Sequence, residues 1–485
     1  MHLADATSLR TSHEEIMANK TAKHEIDMTT GKLFPKIFAF AVPLILTSIL
    51  QLLFNSADMV VVGQFVNNDA VGAVGSTGAL NALIVNLAIG FAGGAGVALA
   101  SAYGAHDKEY GDKVLHTSML LSVILGFVIG VIGFFVARPL LTLMGTPDEQ
   151  LNYAADYLEI IFAGSPFNLV YNFGASMMRA TGDTKRPLIF LSISGVINII
   201  VNIITVVVFG MGVVGVALAT IMSQAISAVL VVTALVKNKG FVKLSFKKLG
   251  IDKRALKDIL RLGVPTGMQS ALFSITNVML QSAVNSFGSE VVNGSSVSGQ
   301  IEGYVYAIVN SISTTALTVV GQNYGAHDYP RIKRTVNISI AFVVVAALTS
   351  GWLAVLCHEP LCRLFINSKD PEATERIIGY ATERMIIVCG TYFLDGIMEV
   401  VTFSLRGIGY SVTSMLIVLA GTCVYRIIWI FAVFPLNKEL WFLFILYPIS
   451  WIITSTVAWI YLGVRMKKDG ANAVRAQTEE AVIAE

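Results

Sequence analysis

Five ionisable side chains stand out inside long apolar runs of this 485-residue chain: Asp58 in LFNSADMVVVG, Glu302 in GQIEGYVYA, Asp395 and Glu399 in YFLDGIMEV, and Arg426 in CVYRIIW. Charged groups in such surroundings are costly to keep and mark functional positions by default. Asp395 and Glu399 are four residues apart, which puts both carboxylates on one helix face, where they can share a proton or neutralise a cation. Equally, Arg426 could pair with one of them as a structural ion pair. Glu302 either joins this group or turns to a helix interface. Asp58 lies 22 positions after Lys36, so it is either an intramembrane acid or an interfacial one. Asn198 and Asn202 in VINIIVNIITV are again four apart, and Thr220 follows on the next apolar run. One carboxylate with amide and hydroxyl oxygens has the hard-ligand character that a small cation or a proton relay needs. The alternative is that the amides bond helix to helix. Tyr304, Tyr306, Tyr392 and Phe393 offer apolar and cation–π surface near the second set, or plain packing.

The elements that carry these residues are transmembrane helices. The chain is 55% hydrophobic and only 14% charged, with mean hydropathy +0.70, where soluble domains are about one-quarter charged. Uncharged runs longer than the ~20 residues that cross a bilayer recur throughout. Dividing the longest run at Phe209–Val213, where glycines punctuate it, predicts twelve spans. They lie near 36–62, 71–102, 114–137, 157–178, 187–209, 213–236, 258–286, 293–323, 335–357, 380–405, 411–435 and 441–464. A β-barrel is excluded, because its strands would alternate in polarity over ~10 residues. With the N-terminus inside, 27 of the 34 Lys and Arg fall on the cytoplasmic side and 6 opposite, which places both termini in the cytoplasm. The net charge of +2 therefore speaks for topology and gives no sign of nucleic-acid binding. The first 33 residues are polar and lack a signal-peptide core, so the first span is expected to direct insertion. Cys357, Cys362, Cys389 and Cys423 have no disulfide-framework spacing, and CHEPLC (357–362) reads as a capped helix end rather than a metal site.

A duplication organises the spans. YGAHD occurs at Tyr103–Asp107 and again at Tyr324–Asp328. Pro43 in AVPLILTSILQ and Pro265 in GVPTGMQSALF, and MRATGD (178–183) and LRGIGY (405–410), recur at nearly the same offset. Six spans per copy make the repeats parallel. The expected organisation is a tail (1–33), an N-lobe of helices 1–6 (34–236), a basic cytoplasmic linker (237–257), a C-lobe of helices 7–12 (258–464) and a second tail (465–485). The fold class is thus an all-α polytopic membrane protein of two pseudo-symmetric six-helix lobes around a central cavity. Gly90, Gly93, Gly94 and Gly96 are expected to allow close helix approach. In YGAHD itself, Gly104 and Gly325 are expected to end helices in the left-handed conformation, with Asp107 and Asp328 capping the next.

These features together resemble the multidrug and toxic compound extrusion (MATE) family, over essentially Pro35–Val464. The resemblance is carried by VPLILTSILQLLFNSADMVVVG, ASAYGAHD, GQNYGAHD, MMRATGDTKRP, NIIVN followed by GMGVVGVALAT, and SLRGIG. It implies export of amphipathic, often cationic, organic compounds in exchange for H⁺ or Na⁺. It also implies an N-lobe ion site, which Asp58, Asn198 and Thr220 match, while Asn202 stands where the family has a second acid. Asp395 stands eleven residues before Arg406, as in the NorM-type branch. The acid that branch carries in its seventh span is missing, where this chain offers Gln269, Ser270, Ser274 and Asn277.

The expected activity is therefore secondary antiport by alternating access in the cell membrane. The ion couples at Asp58, Asn198, Asn202 and Thr220, and substrate binds near Asp395, Glu399, Glu302, Tyr304, Tyr392 and Arg426. Small organic compounds and the bilayer are the expected partners of a monomer, without a resident cofactor. A lipid-precursor flippase of the same superfamily would call for a basic cavity. An enzyme would call for a catalytic motif or a large extramembrane domain, and neither is present. A non-transporting sensor would not need two symmetric lobes.

Overall fold

The computed structural model describes residues 25–66, 68–144, 146–366 and 370–484, so most of the first tail and part of the loop near 367 lie outside the described residues. The first lobe contains α1 (Leu33–Phe65), α2 (Asn68–Gly104), α3 (Lys108–Leu143), α4 (Asp148–Ala163), α5 (Ser165–Ala180), α6 (Lys185–Asn202) and α7 (Gly212–Val236). The second contains α8 (Lys253–Asn285), α9 (Ser289–Gly325), α10 (Tyr329–Leu356), the short α11 (His358–Arg363), α12 (Pro371–Val388) and α13 (Tyr392–Gly407). It closes with α14 (Ser411–Val418), α15 (Tyr425–Ile428), α16 (Leu440–Phe444) and α17 (Leu446–Ala484). Counting α4–α5, α12–α13, α14–α15 and α16–α17 as broken rods and setting aside the six-residue α11 gives twelve, as the apolar runs predict. Nine helices among the described residues are long and apolar enough to cross a membrane. The predicted fourth span is two helices broken at Gly164, ahead of the Ser165–Pro166 pair that starts α5. The last helix runs through Ala484, well past the expected end of its span.

Polarity is arranged as a bilayer demands. Phe127, Val131 and Phe135 point outward, Phe135 being 73% exposed, while Thr117, Ser118 and Ser122 on the same helix are fully buried. An aqueous surface would not carry so much apolar area. The outward face of α3 is therefore the lipid face.

Two helices depart from α geometry at the sites of interest. α6 passes at Asn202 into a π turn over Ile203–Val208. In the second lobe, π turns over Leu419–Val424 and Trp429–Val433 flank α15 and its Arg426. Such turns insert an extra residue per turn and re-aim side chains, and they concentrate at functional sites. Sequence periodicity does not reveal them.

The duplicated pentapeptide behaves differently from expectation. The helices run through Gly104 and Gly325, and the left-handed residues are His106 (φ 55°) and His327 (φ 56°). Asp107 N–H donates to Ala102 O at 3.0 Å and Asp328 N–H to Asn323 O at 3.0 Å, the six-to-one closure of a Schellman turn with histidine where glycine is usual. The capping expectation for the aspartates matches: Asp107 accepts from Tyr110 N–H at 3.0 Å and Asp328 from Arg331 N–H at 2.9 Å. Glycine is needed one turn earlier for a different reason. A Cβ on Gly104 would overlap the carbonyl of Gln322, and one on Gly325 would overlap the carbonyl of Ser101. Each copy's glycine thus lies on the backbone of the other copy, three residues before that copy's own glycine.

The same end of the molecule is tied by hydrogen bonds. The fully buried Gln322 accepts from Met28 N–H (3.0 Å) and donates to Ala180 O (2.7 Å), joining α9, the segment before α1 and the end of α5. Arg331 donates to Met28 O (3.0 Å) and Thr30 O (2.6 Å), while Glu25 accepts from Asn238 (3.2 Å) and Phe241 N–H (3.2 Å). Residues 25–32 therefore strap one lobe to the other. Burial raises the Glu25 carboxyl above its ordinary value, against those two bonds. Further along the seam, a Cβ on Gly90 would stand 2.6 Å from Gly267 N, and one on Gly94 would overlap Gly263. Gly96 instead faces Ser176, and Gly93 has open space. The α1–α9 side of the seam carries a Ser48–Ser311 hydroxyl bond of 3.1 Å instead.

Gly104→Ala should lower stability by about 1–3 kcal/mol through overpacking, whereas His106→Gly should be neutral or gain up to about 1 kcal/mol by relieving the left-handed backbone. Matched thermal unfolding scans in detergent check both, and an unchanged Gly104→Ala midpoint would refute the packing account. Gln322→Leu strands a buried N–H and a buried carbonyl, costing about 1–3 kcal/mol. The expected result is a longer spin-label distance between positions 108 and 333, read by pulsed dipolar spectroscopy.

Candidate functional sites

The first-lobe cluster forms where α1, α6 and α7 meet. Asn202 donates through one amide nitrogen to Asp58 Oδ1 (2.6 Å) and Asn198 Oδ1 (3.2 Å). The Thr220 hydroxyl donates to Val216 O at 3.0 Å and also lies against the Asp58 carboxylate. The four residues predicted for ion coupling are thus brought together. Asn198 and Asn202 are buried, and Asn202 Oδ1 has no hydrogen-bond partner. The amide does what a second carboxylate could not: it supplies a donor to Asp58 while leaving one oxygen for a ligand. An orphaned buried oxygen beside a carboxylate suits a small cation, and the carboxylate alone suits a proton.

The second lobe encloses a cavity of about 530 Å³. Its walls come from α8, α9, α12, α13, the α14–α15 rod, α16 and α17, with Asn86 of α2 reaching in from the other lobe. Glu302, Tyr392, Asp395, Glu399 and Arg426 all line it, as does Tyr306. Tyr304 does not. It is two positions from both Glu302 and Tyr306, roughly 200° around the helix from each. Phe393 packs with the lobe's hydrophobic core instead.

Charge in the cavity is only partly paired. Glu302 is bonded to Arg384 at 2.7 Å, and Arg384 also donates to Ser295 O (2.8 Å) and Ser295 Oγ (2.6 Å). Arg384, one of the six cations counted opposite the cytoplasm, falls inside the run 380–405 and is not among the predicted site residues. Its signal was available, since an arginine within a span needs an acid and Glu302 lacked a partner. Asn310 bridges Tyr306 OH (3.2 Å) and Glu399 Oε2 (3.5 Å). Arg406 donates to Gln269 Oε1 at 2.7 Å and lies over Phe403. The Arg426 guanidinium lies between the rings of Phe273 (5.3 Å) and Tyr447 (4.4 Å). Among the described residues it makes no ion pair within 4.0 Å, so the alternative of a structural ion pair with Asp395 or Glu399 is not realised. Tyr392, Tyr447 and Trp451 complete an aromatic wall, with centroids 5.3 and 5.7 Å apart.

Elsewhere, Cys357 separates α10 from α11, and Glu359 of CHEPLC bonds Arg363 at 3.1 Å. The linker is fastened to α3, where Ser245 N–H donates to His116 Nε2 (3.1 Å) and Asp252 N–H to Thr117 Oγ1 (3.0 Å).

Comparison with known proteins bears on both lobes. The MatE family profile matches residues 43–204 and 265–431, segments that begin 222 positions apart, at Pro43 and Pro265. The probable multidrug resistance protein YoeA of Bacillus subtilis is 29% identical over 412 residues, 83% of this chain and 85% of that protein. The multidrug export protein MepA of Staphylococcus haemolyticus is 22% identical over 417 residues, 86% of this chain and 91% of that protein. Among solved structures, a MOP-superfamily transporter from Pyrococcus furiosus superposes with TM-score 0.86 at 23% identity, covering 93% of this chain and 99% of that one. An outward-facing multidrug resistance MATE transporter superposes with TM-score 0.84 at the same identity and coverage. Since the two profile matches span more than half of the residues and repeat once per lobe, the chain belongs to the MATE family, multi-pass membrane transporters of multidrug export and not enzymes.

Proposed function

We propose that this transporter is a secondary antiporter that exports amphipathic organic compounds in exchange for H⁺ or Na⁺, without a resident cofactor. The observation that carries the reading is the separation of two unlike sites. One lobe holds a compact carboxylate–amide cluster of ion size, and the other holds a drug-sized cavity lined by Asp395, Glu399 and aromatic rings. Cavities of a few hundred Å³ with apolar walls and few polar groups are typical of small-molecule sites.

The packing supports a reading of alternating access. The end carrying the strap and the glycine contacts is closed, and by the Lys and Arg count it faces the cytoplasm. In the state described, substrate in the second-lobe cavity is therefore shut off from the cytoplasm. Ion binding at Asp58 draws α1, α6 and α7 together, and it drives release only by favouring one access state over the other. The π turn after Asn202 places a departure from α geometry beside this cluster, as is common at functional sites. That both sites lie within one chain supports the reading of the monomer as the functional unit.

Substrate efflux from proteoliposomes under a pH gradient or a Na⁺ gradient, imposed singly, tests the proposal; efflux driven by neither would refute it. Asp58→Asn should lower gradient-driven efflux at least about tenfold, within the range of a coupling free energy of 1–3 kcal/mol, while leaving substrate affinity measured in detergent near wild type. Glu399→Gln should do the reverse, weakening affinity for an organic cation by about tenfold. Equal loss of affinity in both variants would contradict the separation of sites.

A further inference from the structure

Resting on the reading of the second-lobe cavity as the substrate site, we infer that Arg426 is an anion-recognition group, so that the preferred substrates are zwitterions carrying a carboxylate or similar anion as well as a cationic amine.

Once Glu302 and Arg384 are set aside as an ion pair, in which only the Arg384 Nε lacks a hydrogen-bond partner, three charged groups of the cavity wall remain: Asp395, Glu399 and Arg426. Arg426 is 1% exposed, and its Nε has no hydrogen-bond partner. Its one polar contact is a 3.5 Å bond from a terminal nitrogen to Ser450 Oγ. Asp395 is 6% exposed, and its Oδ2 likewise has no partner. A guanidinium and a carboxylate thus line one cavity, both buried and both unfinished. They form no bonded pair, although the two groups are close enough to interact electrostatically: Arg426 lies against the Phe273 and Tyr447 rings on α8 and α17, while Asp395 projects from α13.

The ligand that completes this arrangement must bring both signs. A simple cation would satisfy the acids but leave a buried arginine unpaired and add a like charge beside it, and unpaired buried charge is heavily penalised. A simple anion has the opposite fault. A zwitterion places its amine at Asp395 and Glu399 and its carboxylate at the Arg426 guanidinium, whose planar fork suits a carboxylate in two parallel bonds. The aromatic wall then covers the apolar body. Discrimination comes as much from the penalty on wrong ligands as from attraction to the right one.

The test uses two fluorescent xanthene dyes that differ by one ester, rhodamine 110 with a free carboxylate and its methyl ester rhodamine 123. Affinities are measured by fluorescence polarisation on the purified full chain in detergent. Wild type should favour rhodamine 110, and Arg426→Met should reduce the ratio of the two affinities at least about tenfold, the step that 1.4 kcal/mol represents. Arg426→Lys, which keeps the charge but not the fork, should give an intermediate ratio and covers the case in which the Met variant does not fold. Wild type favouring the ester, or a ratio unchanged in both variants, would overturn the inference. Asp395→Asn separates the two levels of the argument. If it weakens rhodamine 123 while the Arg426 variants leave the ratio unchanged, only the zwitterion inference fails. If it affects neither dye, the cavity is not the substrate site.

Discussion

The rest of the structure depends on a backbone contact: Gly104 against the carbonyl of Gln322, and Gly325 against the carbonyl of Ser101. No side chain fits between the two helices there, so α2 and α9 meet backbone to backbone. That crossing fixes one end of the lobe interface. Around it gather the Gln322 bonds, the strap before α1 and the glycine seam between α2 and α8. In a bilayer, where apolar side chains gain nothing by leaving lipid for one another, close backbone packing and buried hydrogen bonds are the main means of holding helices together.

The lobes share a scaffold and have diverged in what they bury. In the first, α5 carries Asn168 and Asn172, which bond each other at 3.0 Å, and the acid lies on α1. In the second, the position matching Asn168 is Asp395, and α13 adds Glu399 one turn on. Each extra charge there is answered in a different way: Glu302 by the Arg384 ion pair, Glu399 by Asn310 and the nearby Arg406, and Arg426 by two aromatic faces and one long bond to Ser450. Membrane burial makes each of these choices costly to reverse. A symmetric fold thus carries two chemically unlike sites, one suited to an ion and one to an organic molecule.

The positions of the π turns fit this division. One follows Asn202 and two flank Arg426, so each lobe loosens its helix beside its polar site. The counterpart rods, such as α2 and α9, keep α geometry throughout and serve as the rigid seam. Rigidity and adjustability are assigned to different helices within each lobe.

Much was legible in the residues themselves. Span length, the exclusion of a barrel and the duplication follow from composition and spacing, because a bilayer imposes a minimum apolar length and leaves few alternatives. The i, i+4 pairs Asn198–Asn202 and Asp395–Glu399 were readable for the same reason, since helix geometry alone puts them on one face. What a helix faces is another matter. The expectation that Gly104 adopts the left-handed conformation was mistaken because the sequence marks a glycine without saying whether its backbone or its missing side chain is needed. His106 takes the left-handed turn, and the glycine serves a contact 218 residues away. Likewise Tyr304 and Tyr306 look equivalent in sequence, and Arg426 looks ready to pair with an acid. By itself, then, the sequence determined a twelve-span duplicated membrane bundle and the set of intramembrane charges, because those follow from local length and period. Only the tertiary structure decided which charges meet, which stay open and where the backbones touch, because these depend on the rotation and approach of helices distant in the chain.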